Sequence, residues 1–243
     1  MIAVTSQPVL AAPSPNKPGH NSPSSAPVAE NAVRLSKLLN PSDRALQLGM
    51  AAFEAGINAQ LQKSPDDAAT YQKNPGLLDA ILAAGRPVIR KHLESRIPEH
   101  QQRYARFYAD KFSPAEIDEL IAFYSTPTGA KVIAAMYAGH GIDKVVEAMD
   151  KNDGNLSAND VQEINGAEAA KLPDVFDADD WKAISAFGAT PAHAKLQSIA
   201  PEFRQLVADI ENEDDPAMDA DLDKAVTDAV TKYVENKKQA AGH

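Results

Sequence analysis

The stretch "IAFYSTPTGAK" (residues 121–131) occurs a second time, without gaps, as "SAFGATPAHAK" (residues 185–195). The two copies share Ala, Phe, Thr, Pro, Ala and Lys at equivalent positions. Similarity at a fixed offset indicates an internal repeat, in which one structural unit occurs twice in the chain. The second copy is the degenerate one, because it lacks the tyrosine and the glycine of the first.

The Gly-Ala-Lys end of the first copy is superficially similar to a phosphate-binding loop. Such a loop has the pattern G-x-x-x-x-G-K-[ST] after a buried strand, so that its backbone N–H groups surround the phosphates. Here a helical pattern precedes, the first glycine is missing, and Val132 follows Lys131. Gly129 is replaced by His193 in the second copy, which predicts that the turn does not require glycine.

The spacing of the motif instead predicts a corner between two helices. One helix ends near Tyr124 or Ser125, Thr126 caps the next helix, and Pro127 occupies its first turn, where a missing N–H costs nothing. Thr190 and Pro191 have the same roles in the second copy. The other shared residues are Phe123 and Phe187, predicted to be core anchors, and Lys131 and Lys195, predicted to reach back to the last carbonyls of the preceding helix.

The rest of the chain from Ala29 onward has a hydrophobic period near 3.6 and no convincing strand alternation, which predicts an all-α protein. "NPSD" (residues 40–43) predicts a helix start with Asn40 as N-cap and Pro41 in the first turn. We expect two related multi-helix modules joined by a short turn, residues 29–149 and 150–240.

Residues 1–28 are rich in Pro, Ser and Asn without a helical period, which predicts a disordered segment. Within it, "VTSQPVLAAPS" (residues 4–14) resembles the end of a secretory signal peptide with cleavage near Ala11 or Ala12. This pattern favours a periplasmic or secreted protein. The alternative is a cytoplasmic protein with a flexible tail.

Composition excludes several classes of protein. The net charge of −10 argues against a nucleic-acid partner, which needs clustered Lys and Arg. The chain has no cysteine, so it has no disulfide, thiolate zinc site or cysteine nucleophile. It also has no apolar run of the roughly 20 residues that a transmembrane helix needs.

Charge is distributed unevenly along the chain. Residues 86–111 are locally basic, whereas the second half is acidic and contains the run "ENEDD" (residues 211–215). One interpretation of the basic stretch is a solvated helix face. The other is a docking surface for an acidic partner, including the protein's own second half. The acidic run itself is interpreted as a solvated cluster.

A possible calcium loop, "DKNDGNLSAND", lies at residues 150–160. Its candidate ligands are Asp150, Asn152, Asp153 and Asp160. Compared with an EF-hand loop the register is one residue short, and position twelve is Asp rather than a bidentate Glu. The preferred interpretation is a turn followed by a helix that Ser157 caps, with Asp160 completing the capping box.

A longer segment around the first copy, "FSPAEIDELIAFYSTPTGAKVIAAM" (residues 112–136), resembles the bacterial domain-of-unknown-function 2059 family over about residues 88–150. The matching motif positions are Phe123, Tyr124, Thr126, Pro127, Gly129 and Lys131. The resemblance implies an all-helical, exported protein and brings no established activity. The degenerate second copy lies at residues 176–203.

Searches for catalytic motifs find none. The six histidines do not form H-E-x-x-H or Glu-x-x-His spacings, and G-x-S-x-G is absent. We therefore expect no cofactor and a non-enzymatic helical binding or envelope-associated protein of unknown partner. The alternative is a hydrolase whose site is assembled from scattered carboxylates and histidines. A pocket with His92 or His100 beside buried carboxylates favours the hydrolase, and an apolar groove between helices favours binding.

Overall fold

The computed structural model describes residues 28–138, 142–152, 155–169 and 175–241. These ranges contain eleven α-helices and no strand, which confirms the all-α fold class. The helices are α1 (Glu30–Leu39), α2 (Ser42–Lys63), α3 (Pro65–Lys73), α4 (Leu77–Lys111), α5 (Pro114–Tyr124), α6 (Pro127–Ala138), α7 (Ile142–Lys151), α8 (Ala158–Ala169), α9 (Ala178–Gly188), α10 (Pro191–Glu211) and α11 (Pro216–Ala241). None of the described helices is both long and apolar enough to span a membrane.

The longest helix, α4, is the axis of the fold. Its 35 residues correspond to a length of about 50 Å, and α1, α2, α10 and α11 pack along it. Pro87 and Pro98 both lie inside this helix, although each removes one backbone donor. The helix begins after Gly76, whose φ of 86° is a left-handed conformation that favours glycine.

The junction of α1 and α2 differs by one residue from the prediction. Asn40 ends α1 instead of capping α2, because its backbone N–H and its side chain both donate to the Ser36 carbonyl. Pro41 is the N-cap of α2, and Ser42 is the first helical residue. Buried Ser36 donates to the Gln101 carbonyl at 2.7 Å, which ties α1 to α4.

The hydrophobic core joins both halves of the chain. Its buried cluster includes residues of α1, α4, α5 and α6 together with Phe187 of α9 and Ile199 and Ile210 of α10. Phe203 of α10 stacks on Tyr108 of α4 with ring centroids 5.6 Å apart. The predicted modules 29–149 and 150–240 therefore share one core, and the module boundary stays a prediction.

Candidate functional site: paired corners and an apolar groove

The first corner, defined as α5, residues 125–126 and α6, has the predicted cap. Helix α5 ends at Tyr124 and α6 begins at Pro127. The Thr126 hydroxyl accepts a hydrogen bond from the Gly129 N–H at 3.0 Å and donates to the Phe123 carbonyl at 2.7 Å. One threonine therefore satisfies a free donor of α6 and adds a hydrogen bond to the Phe123 carbonyl, which also accepts from the Thr126 N–H at 3.0 Å.

The second corner, defined as α9, residues 189–190 and α10, is capped in the same way. Thr190 accepts a hydrogen bond from the His193 N–H at 3.2 Å, and Pro191 begins α10. Thr190 and Pro191 occupy the positions in the second copy that Thr126 and Pro127 occupy in the first.

The expectation that the turn does not require glycine is wrong for the first corner. A Cβ atom on Gly129 would lie 2.2 Å from the Phe123 carbonyl oxygen and 2.5 Å from the Tyr124 Cα. Both contacts are to backbone, so neither can be relieved by a side-chain rotation. In the second corner His193 occupies this position, and its ring packs edge-on against Phe187 with centroids 5.0 Å apart.

Each corner begins with a capping box. Ser113 accepts from the Glu116 N–H, and the Glu116 carboxylate accepts from the Ser113 N–H at 2.7 Å. Asp177 and Asp180 make the same reciprocal pair at the start of α9. In both boxes a carboxylate is thus fixed at the third helical position, as the motif requires.

The two lysines of the motif connect the corners. Lys131 donates to Asp180 Oδ2 at 2.5 Å, and Lys195 donates to Glu116 Oε2 at 2.9 Å and Oε1 at 3.1 Å. The prediction that they cap the carbonyls of their own corner is wrong. Each lysine instead binds the capping-box carboxylate of the other corner, since a fixed carboxylate is a stronger partner for an ammonium group than a helix-end carbonyl.

The ion pairs lower the pKa of both carboxyl groups. The Lys195 ammonium and the Ser113 donors lower the pKa of Glu116 to about 2. Lys131 and the Thr128 hydroxyl, which donates to Asp180 at 2.7 Å, lower the pKa of Asp180. Asp180 is only 5% exposed, so its charge needs these partners.

The two phenylalanines meet in the interface of the corners. The rings of Phe123 and Phe187 are parallel, with centroids 3.9 Å apart and an interplanar angle of 3°. Tyr124 packs edge-on against both rings. Phe187 is buried and Phe123 half-buried, and both contribute to the hydrophobic core.

An apolar groove runs between α6 and the α1–α2 junction, with a volume of about 260 Å³. Leu38, Tyr124, Ile133, Ala134 and Tyr137 line it, as do the charged residues Asp43 and Arg44. Tyr137 fixes the separation of the two walls because its hydroxyl donates to the Leu39 carbonyl at 3.0 Å. Met136, next to Tyr137 on α6, is 49% exposed.

The matching face of the second corner has no such apolar character. The residues equivalent to Tyr124, Ile133, Ala134 and Tyr137 are Gly188, Gln197, Ser198 and Pro201, and all four are exposed. None of the four is aromatic or a large aliphatic residue, and two of them, Gln197 and Ser198, are polar. Only the first corner keeps an aromatic and aliphatic face there.

The basic stretch on α4 docks on the chain's own acidic half. Arg103 donates to Glu213 at 2.5 Å, and Arg96 lies 3.7 Å from both Glu213 and Asp215. Lys111 pairs with Glu202 on α10. These contacts confirm the docking interpretation for Arg96, Arg103 and Lys111, whereas Arg86 and Arg90 make exposed pairs with Glu54 and Glu94 of the first half. The prediction that "ENEDD" is a solvated cluster is wrong for Glu213 and Asp215.

His92 belongs to the same network. Its Nε2 atom lies 3.0 Å from Asp221 and its Nδ1 atom 3.5 Å from Asp215. His100 is half-buried, and its Nε2 atom has no hydrogen-bond partner among the described residues. Burial and the nearby Arg96 and Arg103 lower the pKa of His100, which favours the neutral ring.

Ser157 and Asp160, at the end of the segment 150–160, form the predicted helix cap. Ser157 accepts from the Asp160 N–H at 3.2 Å, and its own N–H donates to the Asp160 carboxylate at 2.7 Å. Of the other candidate calcium ligands, Asp150 pairs with Lys63 and Asn152 donates to Asp160, while Asp153 lies outside the described residues. Among the described residues no three His, Asp or Glu side chains form a metal-binding group.

Sequence reasoning missed the two carboxylates that complete the paired corners, Glu116 and Asp180. The signal was present, since "SPAE" (residues 113–116) and "DADD" (residues 177–180) are capping-box patterns at equivalent places in the two copies. Repeat position and capping pattern together identify the two carboxylates, but they do not show that each lysine binds the carboxylate of the other corner.

Comparison with known proteins gives one family match. Residues 100–140 match the model of a family described as "Uncharacterized protein conserved in bacteria (DUF2059)". This range is narrower than the predicted 88–150. It contains the end of α4 and the whole first corner, which includes the α6 wall of the groove. The second corner lies outside it. No curated protein and no solved structure matches the chain.

Proposed function

We propose that this chain is a non-enzymatic helical binding protein and that the groove beside the first corner receives an apolar segment of a partner polypeptide. The observation that carries the proposal is the difference between the two corners. At equivalent exposed positions the first corner has Ala134 and the second has Ser198, and the aromatic wall residues Tyr124 and Tyr137 have no aromatic counterpart. An apolar surface retained on one of two similar helix pairs is typical of an interaction site.

The size of the groove favours apolar side chains of a polypeptide over a small-molecule ligand. Its volume of about 260 Å³ is below the roughly 300–1,000 Å³ typical of pockets that enclose a small molecule. Arg44 on its wall makes a hydrogen bond to Gln47 and no ion pair among the described residues. We expect the partner segment to carry a carboxylate next to its apolar side chains, where Arg44 can pair with it.

Ala134 and Ser198 provide a matched pair for the test. Ala134→Glu places a charged side chain in the groove from an exposed position, and Ser198→Glu places the same side chain at the equivalent position of the second corner. The first probe is anilinonaphthalene sulfonate, an anionic fluorophore that binds exposed apolar surface. We expect Ala134→Glu to abolish most of its fluorescence enhancement and Ser198→Glu to leave it unchanged.

A photo-crosslinking benzoylphenylalanine at either position then reports on the partner in cells. We expect a discrete adduct from position 134, lost when Arg44→Glu is added, and none from position 198. Equal dye binding by both glutamate variants together with equal adducts from both positions would contradict the proposal.

We further propose that the protein is associated with the bacterial envelope in the periplasm or secreted. The support is the signal-like pattern at residues 4–14 and the resemblance of the first corner to an exported family. Cell fractionation and N-terminal sequencing of the native protein test it, and a cytoplasmic chain that retains Met1 would contradict it. We also propose that the equivalent caps of the two corners reflect an internal repeat.

The alternative of a hydrolase depends on the His92 cluster, where a histidine does lie beside half-buried carboxylates. A general base needs one ring nitrogen directed at the nucleophile or water. Both ring nitrogens of His92 instead face carboxylates, Asp215 and Asp221, and Asp215 is also close to Arg96. These contacts favour a role in holding α11 against α4.

A further inference from the structure

The paired corners have the contact pattern of a symmetric dimer within one chain. Lys131 of the first corner binds Asp180 of the second, and Lys195 of the second binds Glu116 of the first. The second pair is the first with each residue replaced by its equivalent in the other copy. In an isologous interface residue i contacts j and j contacts i across a twofold axis. The stacked, parallel rings of Phe123 and Phe187 are likewise equivalent residues facing each other.

Each corner therefore carries both halves of the interface. The first contains an acid at its capping box, a ring and a lysine, namely Glu116, Phe123 and Lys131. A second copy of this corner would make the same contacts. Phe123 would stack on Phe123 of the other copy, and Lys131 of each copy would pair with Glu116 of the other.

We propose that the first corner is a self-recognition surface whose occupant is the second corner of the same chain, and that the first corner of another copy of this chain binds there when the second corner is released. The second corner acts as an internal cap that prevents self-association. This inference does not depend on the groove or on its partner.

The covalent connection of the two corners favours the internal pairing. Thr128 adds a hydrogen bond to Asp180 at 2.7 Å, but Thr128 of a second copy could donate to Glu116 in the same way, so this contact does not distinguish the two pairings. A tethered partner, in contrast, has an effective concentration of roughly millimolar. The internal cap therefore outcompetes a second chain at ordinary protein concentrations, and the parent protein is expected to be monomeric.

The test disables the second corner and leaves the first intact. The variant Phe187→Ala/Lys195→Glu removes the facing ring and sets a carboxylate against Glu116, while both capping boxes remain. We expect sedimentation velocity to show a monomeric parent and a reversible monomer–dimer equilibrium for the variant as protein concentration rises. Lys195→Glu alone, which keeps the ring in the core, is expected to dimerise more weakly. If circular dichroism shows that the double variant has lost helix, Lys195→Glu alone takes its place in the test.

Charge complementation shows whether the dimer uses the first corner. Adding Lys131→Glu to the disabled chain places carboxylates against each other in both halves of the dimer. Adding Glu116→Lys to Phe187→Ala alone does the same with ammonium groups, and the retained Lys195 then repels position 116 within the chain, so the second corner stays disabled. Neither chain is expected to self-associate, whereas their equimolar mixture is expected to form a heterodimer. Disabled variants that stay monomeric at all concentrations, or a dimer that tolerates Lys131→Glu, would overturn the inference.

Discussion

The ring of Phe123 lies face to face with the ring of Phe187, 3.9 Å away between centroids and tilted by 3°. These two residues occupy the same position in two similar stretches of the chain. Their contact links α5 to α9 in the interface of the corners, and the ion pairs Lys131–Asp180 and Lys195–Glu116 connect the same corners. The motif therefore acts in the packing of the two halves as well as in the turns themselves.

The first prediction concerns the coupling of these rings. Phe123→Ala is expected to lower the free energy of unfolding by about 3 kcal/mol, because it leaves a cavity beside Phe187. In a double-mutant cycle with Phe187→Ala, urea unfolding should give a coupling of about 1 kcal/mol, typical of aromatic pairs in contact.

A control cycle pairs Phe123→Ala with Phe53→Ala on α2, whose ring lies beside Gly85. Those two substitutions are expected to be additive. Phe123→Ala with unchanged stability and a lost partner interaction would instead make the motif a functional surface.

The second prediction concerns the close approach of α6 to the end of α5. Gly129→Ala is expected to lower the free energy of unfolding by about 1–3 kcal/mol, because its methyl group would overlap the Phe123 carbonyl and Tyr124 backbone. Gly56 lies in α2, and the position that a methyl group would take there has no neighbouring atom within 4 Å. Gly56→Ala is therefore expected to raise stability by about 0.5–1 kcal/mol. Thermal unfolding of both variants checks the contrast, and a neutral Gly129→Ala would mean that the first corner relaxes as the second one has.

What could be predicted from the sequence depends on the range of each interaction. Thr126 and Pro127 act within a few residues of themselves, so their roles follow from local spacing. The partner of Lys131 is 49 residues away and that of Lys195 is 79 residues away. No local pattern gives such distances, so the spacing predicts nearby carbonyls as the partners of both lysines. The groove was also beyond prediction, because it depends on how α6 approaches the α1–α2 junction.

The third prediction concerns residues 150–160. Isothermal titration calorimetry is expected to detect no calcium binding at physiological concentrations, because Asp160 is held by Ser157 and Asp150 by Lys63, and the loop register is one residue short. Asp160→Ala is expected to destabilise α8 by about 1 kcal/mol through loss of the capping box. Micromolar calcium binding that Asp153→Ala abolishes would contradict this interpretation.

The last prediction concerns how the free energy of unfolding depends on pH under acidic conditions. The pKa of Glu116 is about 2 in the folded chain against an ordinary value of 4.5. Between these values the unfolded chain binds more protons than the folded one at this position, so the free energy of unfolding falls as the pH is lowered. The contribution of Glu116 is complete above about pH 4.5 and is lost as the pH falls towards 2. Since Lys195 is the largest cause of the shift, Lys195→Met is expected to flatten the dependence in this range.

Lys151→Met is the matched control, because it removes a lysine from the exposed pair with Glu147 on α7. Lys151→Met is expected to change the pH dependence of the free energy of unfolding less than Lys195→Met does, because the Lys151–Glu147 pair is exposed and lies within one helix. Urea unfolding at a series of pH values from 7 to 2 measures all three proteins. If Lys195→Met follows the parent curve throughout, the Lys195–Glu116 bridge contributes nothing to stability in solution, and the pairing of the corners depends on the Lys131–Asp180 pair and the stacked phenylalanines.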